Sequence, residues 1–303
     1  MGDHSIVKKE IQQVQEDMAR QGYIAEQALV TALYLSMQLN KPLLIEGEAG
    51  VGKTEVAKVL AGLLQTELIR LQCYEGLDVH TALYEWNYQK QILRIRLEEG
   101  EKKAPRQVEE TIFSRDYLLE RPLLRAITCK ARPVLLIDEI DRADEGFEAF
   151  LLEVLSDFQV TIPELGTIRA EQIPYVILTS NRTRELGDAL RRRCLYLWMD
   201  HPSFEKEVRI IRTRIPQISE RLAREISGFM RALRPRRLYK TPGVAETLDW
   251  SRALVTLHQE HLDVAVVEET LGCLLKDHHD IRSLDQAAMG EMLRTAVQSE
   301  VAS

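Results

Sequence analysis

Short apolar runs alternate with stretches of helical periodicity through the first two thirds of the chain. Four runs are rich in residues that favour strands, at 43–46, 68–73, 134–137 and 175–180. Continuous apolar runs of this length are typical of strands that are buried on both faces of a parallel sheet. The stretches between them, such as 55–61, carry helix-forming residues. This alternation predicts an α/β fold built from βαβ units.

The pattern changes near residue 202. Beyond it we predict helices at about 204–213, 218–233, 244–258, 264–276 and 283–296, with breaks at prolines and no good strand. We therefore predict two domains, an αβα core at 1–202 and an all-helical lid at 203–303. A turn-flanked pair of short strands at 159–170 predicts a β-hairpin inside the core.

A complete G-x-x-x-x-G-K-T phosphate loop spans residues 47–54. It follows the first strand and precedes a helix, which is the context that this motif requires. Glycines let backbone N–H groups turn toward phosphates, and the helix N-terminus adds positive potential. The residues predicted to bind the nucleotide are Glu48, Ala49, Gly50, Val51, Gly52, Lys53, Thr54 and Glu55. Lys53 is expected to reach the β- and γ-phosphates, and Thr54 to offer its hydroxyl to Mg²⁺.

Two other strand ends carry candidate chemistry. The run at 134–137 ends in Asp138 and Glu139, and the run at 175–180 ends in Asn181. Because ligands bind at the carboxyl edge of a parallel sheet, we predict Asp138 as a second Mg²⁺ ligand. We predict Glu139 as the group that polarises the attacking water, and this acidic pair favours hydrolysis over phosphoryl transfer to a small molecule. Asn181 is placed either to position that water or to cap a turn.

Arginines supply the remaining candidates. Arg191, Arg192 and Arg193 end a short helix after the fourth strand, where one subunit can offer an arginine to the nucleotide of the next. Arg252 lies in a predicted lid helix and either reaches back to the γ-phosphate or lies on the surface.

Composition and charge limit which partners and which cellular location the sequence predicts. The net charge of −7 argues against binding of nucleic acid by bulk charge. No apolar run approaches the ~18 residues of a membrane span, and the polar start does not resemble a signal peptide. The four cysteines form no C-x-x-C pair, which indicates neither a zinc site nor a disulfide framework. We therefore predict a cytoplasmic protein without a transmembrane segment.

These motifs together resemble an AAA+ ATPase. Segments 46–56, 136–142 and 179–186 are similar to the MoxR family, over about residues 20–280. Segments 188–197 and 242–250 resemble its CoxD-type branch, which is found beside aerobic carbon monoxide dehydrogenase. The resemblance implies an AAA+ P-loop fold that binds ATP and Mg²⁺, with an insert at about 75–112 and the hairpin at 159–170.

The resemblance also implies roles for individual residues. Tyr23 and Ile24 would flank the adenine, Glu139 would be the catalytic base and Asn181 the first sensor. Arg193 would be the arginine finger and Arg252 the second sensor. The family usually ends the finger helix with Arg-Phe, and this chain has Cys194 after three arginines, which leaves Arg192 as the alternative finger.

At the level of the whole protein, the resemblance implies a hexameric ring. The ring would act as a chaperone, with a partner that carries a von Willebrand A domain. The implied client is the molybdenum–copper carbon monoxide dehydrogenase, during assembly of its metal centre. The alternatives are a metal-insertion ATPase of the magnesium-chelatase kind, a DNA-directed AAA+ motor, and a nucleotide-gated adaptor that hydrolyses too slowly to do work.

Overall fold

The computed structural model describes residues 2–98 and 105–301. Its helices are α1 (Gly2–Arg20), α2 (Gln27–Leu39), α3 (Lys53–Leu63), α4 (Val79–Ala82), α5 (Tyr88–Glu98), α6 (Pro105–Ile112), α7 (Pro122–Thr128), α8 (Glu145–Asp157), α9 (Asp188–Arg193), α10 (Phe204–Arg214), α11 (Glu220–Leu233), α12 (Val244–Thr256), α13 (Val264–Leu274), α14 (His278–Ser283) and α15 (Gln286–Val301). Its strands are β1 (Leu43–Gly47), β2 (Leu68–Gln72), β3 (Tyr84–Trp86), β4 (Leu118–Glu120), β5 (Val134–Asp138), β6 (Gln159–Ile162), β7 (Gly166–Arg169), β8 (Tyr175–Ser180) and β9 (Leu195–Met199).

A five-stranded sheet has the order β2-β5-β8-β1-β9. The pairs β2–β5, β5–β8 and β8–β1 are parallel. Every residue of β1 and β5 is buried, which explains why these strands read as continuous apolar runs. The sheet and the helical C-terminal region confirm the predicted α/β class.

The edge strand β9 was missing from the prediction. Its exposure alternates along the strand, and Tyr196 and Trp198 are exposed. An edge strand lacks the continuous apolar run that marks the inner strands of this sheet. The sequence of β9 therefore carries a weaker strand signal than those of β1 or β5.

The chain packs into two units. The core unit comprises residues 28–46 and 54–198, and the lid unit comprises residues 1–27, 47–53 and 199–303. The apolar core of the first unit is formed by the inner strands and by helices α7 and α8. The phosphate loop, at residues 47–53, belongs to the lid unit. The division predicted at residue 202 stays a prediction.

Helices α10 to α15 of the lid unit enclose their own apolar core. Trp250 and Phe229 are fully buried there, with ring centroids 5.3 Å apart. The indole N–H of Trp250 donates to Thr270 Oγ1 at 2.7 Å, so this polar group is satisfied inside the core. Gly228 allows α11 to approach α15 closely, because a Cβ at this position would lie 2.7 Å from Ala296 Cβ.

Two small antiparallel pairs complete the core unit. Strands β6 and β7 form a hairpin in which Gln159 faces Arg169 and Ile162 faces Gly166. Strands β3 and β4 form the second pair. Strand β3, α4 and α5 fall within the predicted insert at 75–112, and β4 follows it. Part of that insert, residues 99–104, lies outside the described residues.

Candidate active site

The phosphate loop follows β1 and holds the amine of Lys53 inside its own turn. Gly50 and Gly52 have φ values of 77° and 99°, which only glycine adopts easily. Lys53 is buried, and its Nζ donates to the carbonyl oxygens of Gly47 at 2.8 Å and Glu48 at 2.7 Å. The loop therefore concentrates one positive charge and several backbone N–H groups within a short turn. This composition fits a polyphosphate.

Asp138 ends β5 as a buried carboxylate with three partners. Its Oδ1 accepts hydrogen bonds from Thr54 Oγ1 at 3.0 Å and from Thr179 Oγ1 at 2.5 Å. Its Oδ2 accepts from Arg70 Nε at 3.0 Å and Nη2 at 2.6 Å. The hydroxyl of Thr54 and the carboxylate of Asp138 thus lie together, as predicted for a Mg²⁺ site. Hydroxyl and carboxylate oxygens fit this hard cation, which would neutralise charge on a bound polyphosphate.

Glu139 follows β5 in an unusual backbone conformation. Its φ of 56° and ψ of 50° place it in the left-handed region, which is uncommon for a residue other than glycine. Its N–H donates to Thr179 Oγ1 at 2.9 Å, which ties the strained residue to β8. A strained non-glycine residue that carries a carboxylate at a sheet edge is a candidate for function.

The carboxylate of Glu139 has three neighbours. Arg142 Nε lies 2.8 Å from Oε2, and Gln72 Nε2 donates to the same oxygen at 3.2 Å. Asn181 Nδ2 donates to Oε1 at 3.4 Å. The structure therefore brings the predicted base and the predicted first sensor into direct contact.

Asp141 holds the turn that carries Asn181. It is buried, and it accepts hydrogen bonds from the N–H groups of Asn181 at 3.2 Å and Thr183 at 2.9 Å. The Thr183 hydroxyl adds a third bond at 2.7 Å. Sequence reasoning missed this carboxylate, and it missed Arg70, Gln72 and Arg142. The one signal at Asp141 was its place two residues after Glu139.

Cys73 lies directly after β2, close to the acidic strand end. Burial, with the nearby carboxylate of Asp138 as the next cause, raises the pKa of its thiol to about 12. Its N–H donates to the Asp138 carbonyl at 2.8 Å. The thiol is therefore neutral at physiological pH and adds no charge to the candidate site.

The three arginines that end α9 have different surroundings. Arg191 lies 3.7 Å from the buried carboxylate of Glu46 and stacks over the Tyr196 ring at 5.4 Å. Arg193 is exposed, and it donates to Ser156 Oγ at 2.6 Å and to the Ala189 carbonyl at 3.1 Å. Arg192 is exposed. Both finger candidates are thus on the surface of the core unit, and Arg191 is held within it.

The remaining predicted residues belong to the lid unit. Arg252 lies in the third turn of α12, with its side chain 54% exposed and paired with Asp249 at 3.0 Å. Tyr23 and Ile24 are half-buried in the irregular segment between α1 and α2. The start of α12 contacts the phosphate loop, because Val244 N–H donates to the Gly50 carbonyl at 2.8 Å. Arg252 is eight residues beyond Val244, which is ~12 Å along a helix axis.

The sequence that forms this site matches a known domain family. The profile of the AAA domain family, dynein-related subfamily, matches residues 42–194, just over half of the chain. The chain belongs to this family. It is an AAA+ ATPase by fold and class, as the sequence predicts. The AAA match runs from the start of β1 to the end of α9, and it covers the loop, both acids, Asn181 and the three arginines.

Two curated relatives show lower similarity. The Holliday junction branch migration complex subunit RuvB of Fervidobacterium nodosum is 28% identical over 177 residues, which are 56% of this chain and 49% of that protein. The chain therefore spans about half the length of this relative. An uncharacterised protein of Staphylococcus epidermidis is 27% identical over 227 residues, which are 73% of this chain and 78% of that one.

Solved structures resemble the fold at lower identity. A RuvB mutant of Thermotoga maritima has a TM-score of 0.49 and 18% identity, over 86% of this chain and 70% of its own. A putative ATPase from Cytophaga hutchinsonii has a TM-score of 0.48 and 15% identity, over 95% of this chain and 94% of its own. No described helix is long and apolar enough to cross a membrane.

Proposed function

We propose that this AAA domain protein couples ATP hydrolysis to the remodelling of a protein client, as MoxR ATPases do. The observation that supports a working hydrolytic site is the pair formed by Glu139 and Asn181. The carboxylate of Glu139 lies 3.4 Å from the amide nitrogen of Asn181, and Glu139 directly follows Asp138, which is buried and hydrogen-bonded to the half-buried Thr54. A domain that only sensed nucleotide would not need a strained carboxylate at this position.

In this proposal each residue of the phosphate loop and the acidic strand end has a separate task. Lys53 exchanges its carbonyl partners for the β- and γ-phosphates of ATP. Thr54 and Asp138 hold Mg²⁺, which requires Asp138 to release at least one of its present partners. Tyr23 and Ile24 contact the adenine. Glu139 takes a proton from the attacking water, whose position Asn181 fixes.

The chain's own arginines restrain the two acids in this structure. Arg70 pairs with Asp138, and Arg142 pairs with Glu139. The pair of Arg142 with the 30% exposed carboxylate of Glu139 is screened by solvent and is worth little. Asp138 is 2% exposed and accepts two hydrogen bonds from Arg70, whose side chain is 49% exposed, so this pair is only partly screened. We infer that Mg²⁺ and the charge of a bound triphosphate are sufficient to displace them.

An arginine from the neighbouring subunit completes the proposed site. In a homo-oligomeric ring, which we propose to be a hexamer, one head-to-tail interface is used repeatedly. Arg193 is the proposed finger, and Arg192 is the alternative. The exposed position of both supports a role across an interface, whereas Arg191 is held by Glu46. Arg252 is the proposed second sensor, and it must leave Asp249 to act.

The finer proposal concerns the client. Segments 188–197 and 242–250 resemble the CoxD-type branch of MoxR ATPases. We therefore propose that a partner with a von Willebrand A domain delivers a metalloenzyme, the molybdenum–copper carbon monoxide dehydrogenase, for assembly of its metal centre in the cytoplasm. A metal-insertion ATPase of the magnesium-chelatase kind is the nearest alternative.

One experiment tests both levels of the proposal. Wild type and Glu139→Gln are assayed for ATP binding and for phosphate release, and each is used as bait with the partner and the client subunits. The Gln variant should bind ATP, lose ~10²–10⁴-fold in turnover and retain the partner longest. Near-normal turnover would remove Glu139 from the mechanism. If turnover is lost as expected but neither the partner nor the client is captured, the ATPase activity stands and the proposed client is refuted.

The arginine finger is tested by mixing inactive subunits before assembly. Arg193→Ala and Glu139→Gln should each be inactive alone, and an equal mixture should recover activity at roughly a quarter of the interfaces. If subunits demonstrably mix and this pair recovers nothing, while Arg192→Ala is inactive alone and recovers activity with Glu139→Gln, the finger is Arg192. If neither pair recovers activity and Arg193→Ala alone hydrolyses ATP normally, the proposed trans-acting arginine is wrong.

A second candidate function follows from the similarity to RuvB. That relative is a subunit of a Holliday junction branch migration complex, and it is 28% identical over 177 residues. A DNA-directed motor would show ATP turnover that branched or duplex DNA stimulates. The net charge of −7 favours the opposite result, unchanged turnover at physiological salt.

A further inference from the structure

The first turn of α12 approaches the phosphate loop more closely than side chains allow. The N–H of Val244 donates to the Gly50 carbonyl at 2.8 Å. A Cβ at Gly243 would lie 2.6 Å from Gly50 Cα and 2.7 Å from its carbonyl carbon and oxygen. A Cβ at Gly50 would lie 2.9 Å from Gly243 Cα. The two backbones therefore touch directly, and both residues have to be glycine.

Gly243 is required for a different reason from Gly50. Its φ of −92° and ψ of −167° form an extended conformation that any residue adopts. The backbone conformation at 243 therefore needs no glycine, and the close approach to the loop is what requires one. Gly50, in contrast, has a φ of 77° and is constrained by both its conformation and its neighbour.

A buried ionic network holds this turn in place. Arg234 donates through Nε to the Pro242 carbonyl at 3.1 Å, and through both terminal nitrogens to the Glu207 carboxylate at 2.8 and 2.5 Å. The Thr247 hydroxyl donates to Glu207 at 3.0 Å. The side chains of Arg234 and Glu207 are 9% and 1% exposed, so the pair is shielded from solvent. Gly243 is thus held by its contact with the loop and, through the neighbouring Pro242, by this buried network.

We propose that Gly243 and Val244 position the phosphate loop, so that the first turn of α12 senses a bound phosphate through the main chain. The Val244 N–H fixes the Gly50 carbonyl, and the peptide plane of Gly50 in turn orients the neighbouring N–H group inside the loop. A phosphate that reorients the loop then has to move the start of α12. This inference rests on the proposed function, since it assumes that the loop binds ATP.

The test compares two substitutions at one position with a matched control. Gly243→Ala adds the colliding Cβ, and Gly243→Ser adds the same Cβ together with a side chain that caps helices well. Gly272→Ala in α13 is the control, because nothing lies within 4 Å of its added Cβ. ATP affinity is measured by calorimetry, and the unfolding midpoint is measured without nucleotide.

We expect both Gly243 variants to bind ATP about tenfold or more weakly, and Gly272→Ala to bind normally. Recovery of affinity in Gly243→Ser would mean that helix capping, and not the close approach, is what matters, and it would overturn the proposal. Wild-type affinity in Gly243→Ala would overturn it too, and would leave the proposed function intact. If wild type itself does not bind ATP, the proposed function fails first.

A measurement on the wild type keeps the proposal testable if the Gly243 variants do not fold. Hydrogen exchange is followed with and without ATP in peptides that cover 243–247 and 264–274. We expect ATP to change exchange at the start of α12 and to leave α13 unchanged. Unchanged exchange at 243–247 while ATP is bound would refute coupling through this contact.

Discussion

The buried pair of Arg234 and Glu207 gives a prediction with a large magnitude. Arg234→Met removes the positive partner and leaves a carboxylate that is 1% exposed, with the Thr247 hydroxyl as its remaining donor among the bonds described here. Breaking a buried ion pair on one side costs about 3–5 kcal/mol, because the other charge stays buried without compensation. We therefore expect the lid unit to lose at least about 3 kcal/mol in its free energy of unfolding.

A matched control separates burial from charge pairing in general. Arg212 pairs with Glu220 at 3.1 Å in the same unit, with both side chains about half exposed. Exposed pairs contribute ~0–1 kcal/mol, so Arg212→Met should change stability by less than that. The double variant Arg234→Met with Glu207→Leu removes both charges together. It should recover much of the loss, since apolar replacement of a whole buried pair is often neutral.

The assay is urea unfolding followed by the fluorescence of Trp250. This indole is fully buried in the lid unit, and replacing Trp86 and Trp198 by Phe makes it the single reporter. With a urea m-value of ~1–3 kcal/mol/M, the loss corresponds to a midpoint shift of about 1–3 M or more. If Arg234→Met shifts the midpoint no further than Arg212→Met, the buried network does not stabilise the lid unit.

Three further predictions concern individual residues. Cys73 should resist alkylation at pH 8 in the folded protein, while the half-buried Cys129 reacts. Because the pKa of the Cys73 thiol is about 12 in the folded protein and about 9 in the unfolded chain, the free energy of unfolding should fall as pH rises from 9 toward 12. Cys73→Ala should reduce this fall. Asp141→Ala should release the turn that carries Asn181, and it should lower ATP turnover at saturating ATP by ~10-fold or more with little change in ATP affinity. Equal losses of turnover and of affinity would contradict this role of Asp141. Gly228→Val should destabilise the lid unit by ~1–3 kcal/mol in thermal unfolding, since α15 leaves no room for the side chain, and an unchanged midpoint would refute that packing.

Much of the sheet and of the phosphate loop could be predicted from the sequence because their signals are local. Strand β5 is apolar at four consecutive positions since both of its faces are buried, and the loop has fixed spacing. Arg70 could not be found in the same way. Its partner Asp138 is 68 residues away, and the pair exists because β2 and β5 are neighbours in register. Long-range pairing of this kind leaves no periodic trace in one sequence.

Gly243 shows a second limit of sequence reasoning. A glycine usually marks a turn with positive φ, and this one has an ordinary φ. Its importance comes from Gly50, almost two hundred residues earlier, whose backbone occupies the space of a Cβ. The same limit applies to Arg252, whose helix was predicted from periodicity while the direction of its side chain was not.

The left-handed backbone of Glu139 has a consequence for how this protein changes under selection for stability. A non-glycine residue in this conformation costs roughly 1–2 kcal/mol, and glycine would remove that strain while losing ~0.5–1 kcal/mol of chain entropy. The ion pair with Arg142 contributes little stability that would favour glutamate over glycine. A laboratory population propagated for thermal tolerance alone should therefore tolerate or even accumulate glycine at position 139. A population that must also hydrolyse ATP should keep the acid and retain the strain.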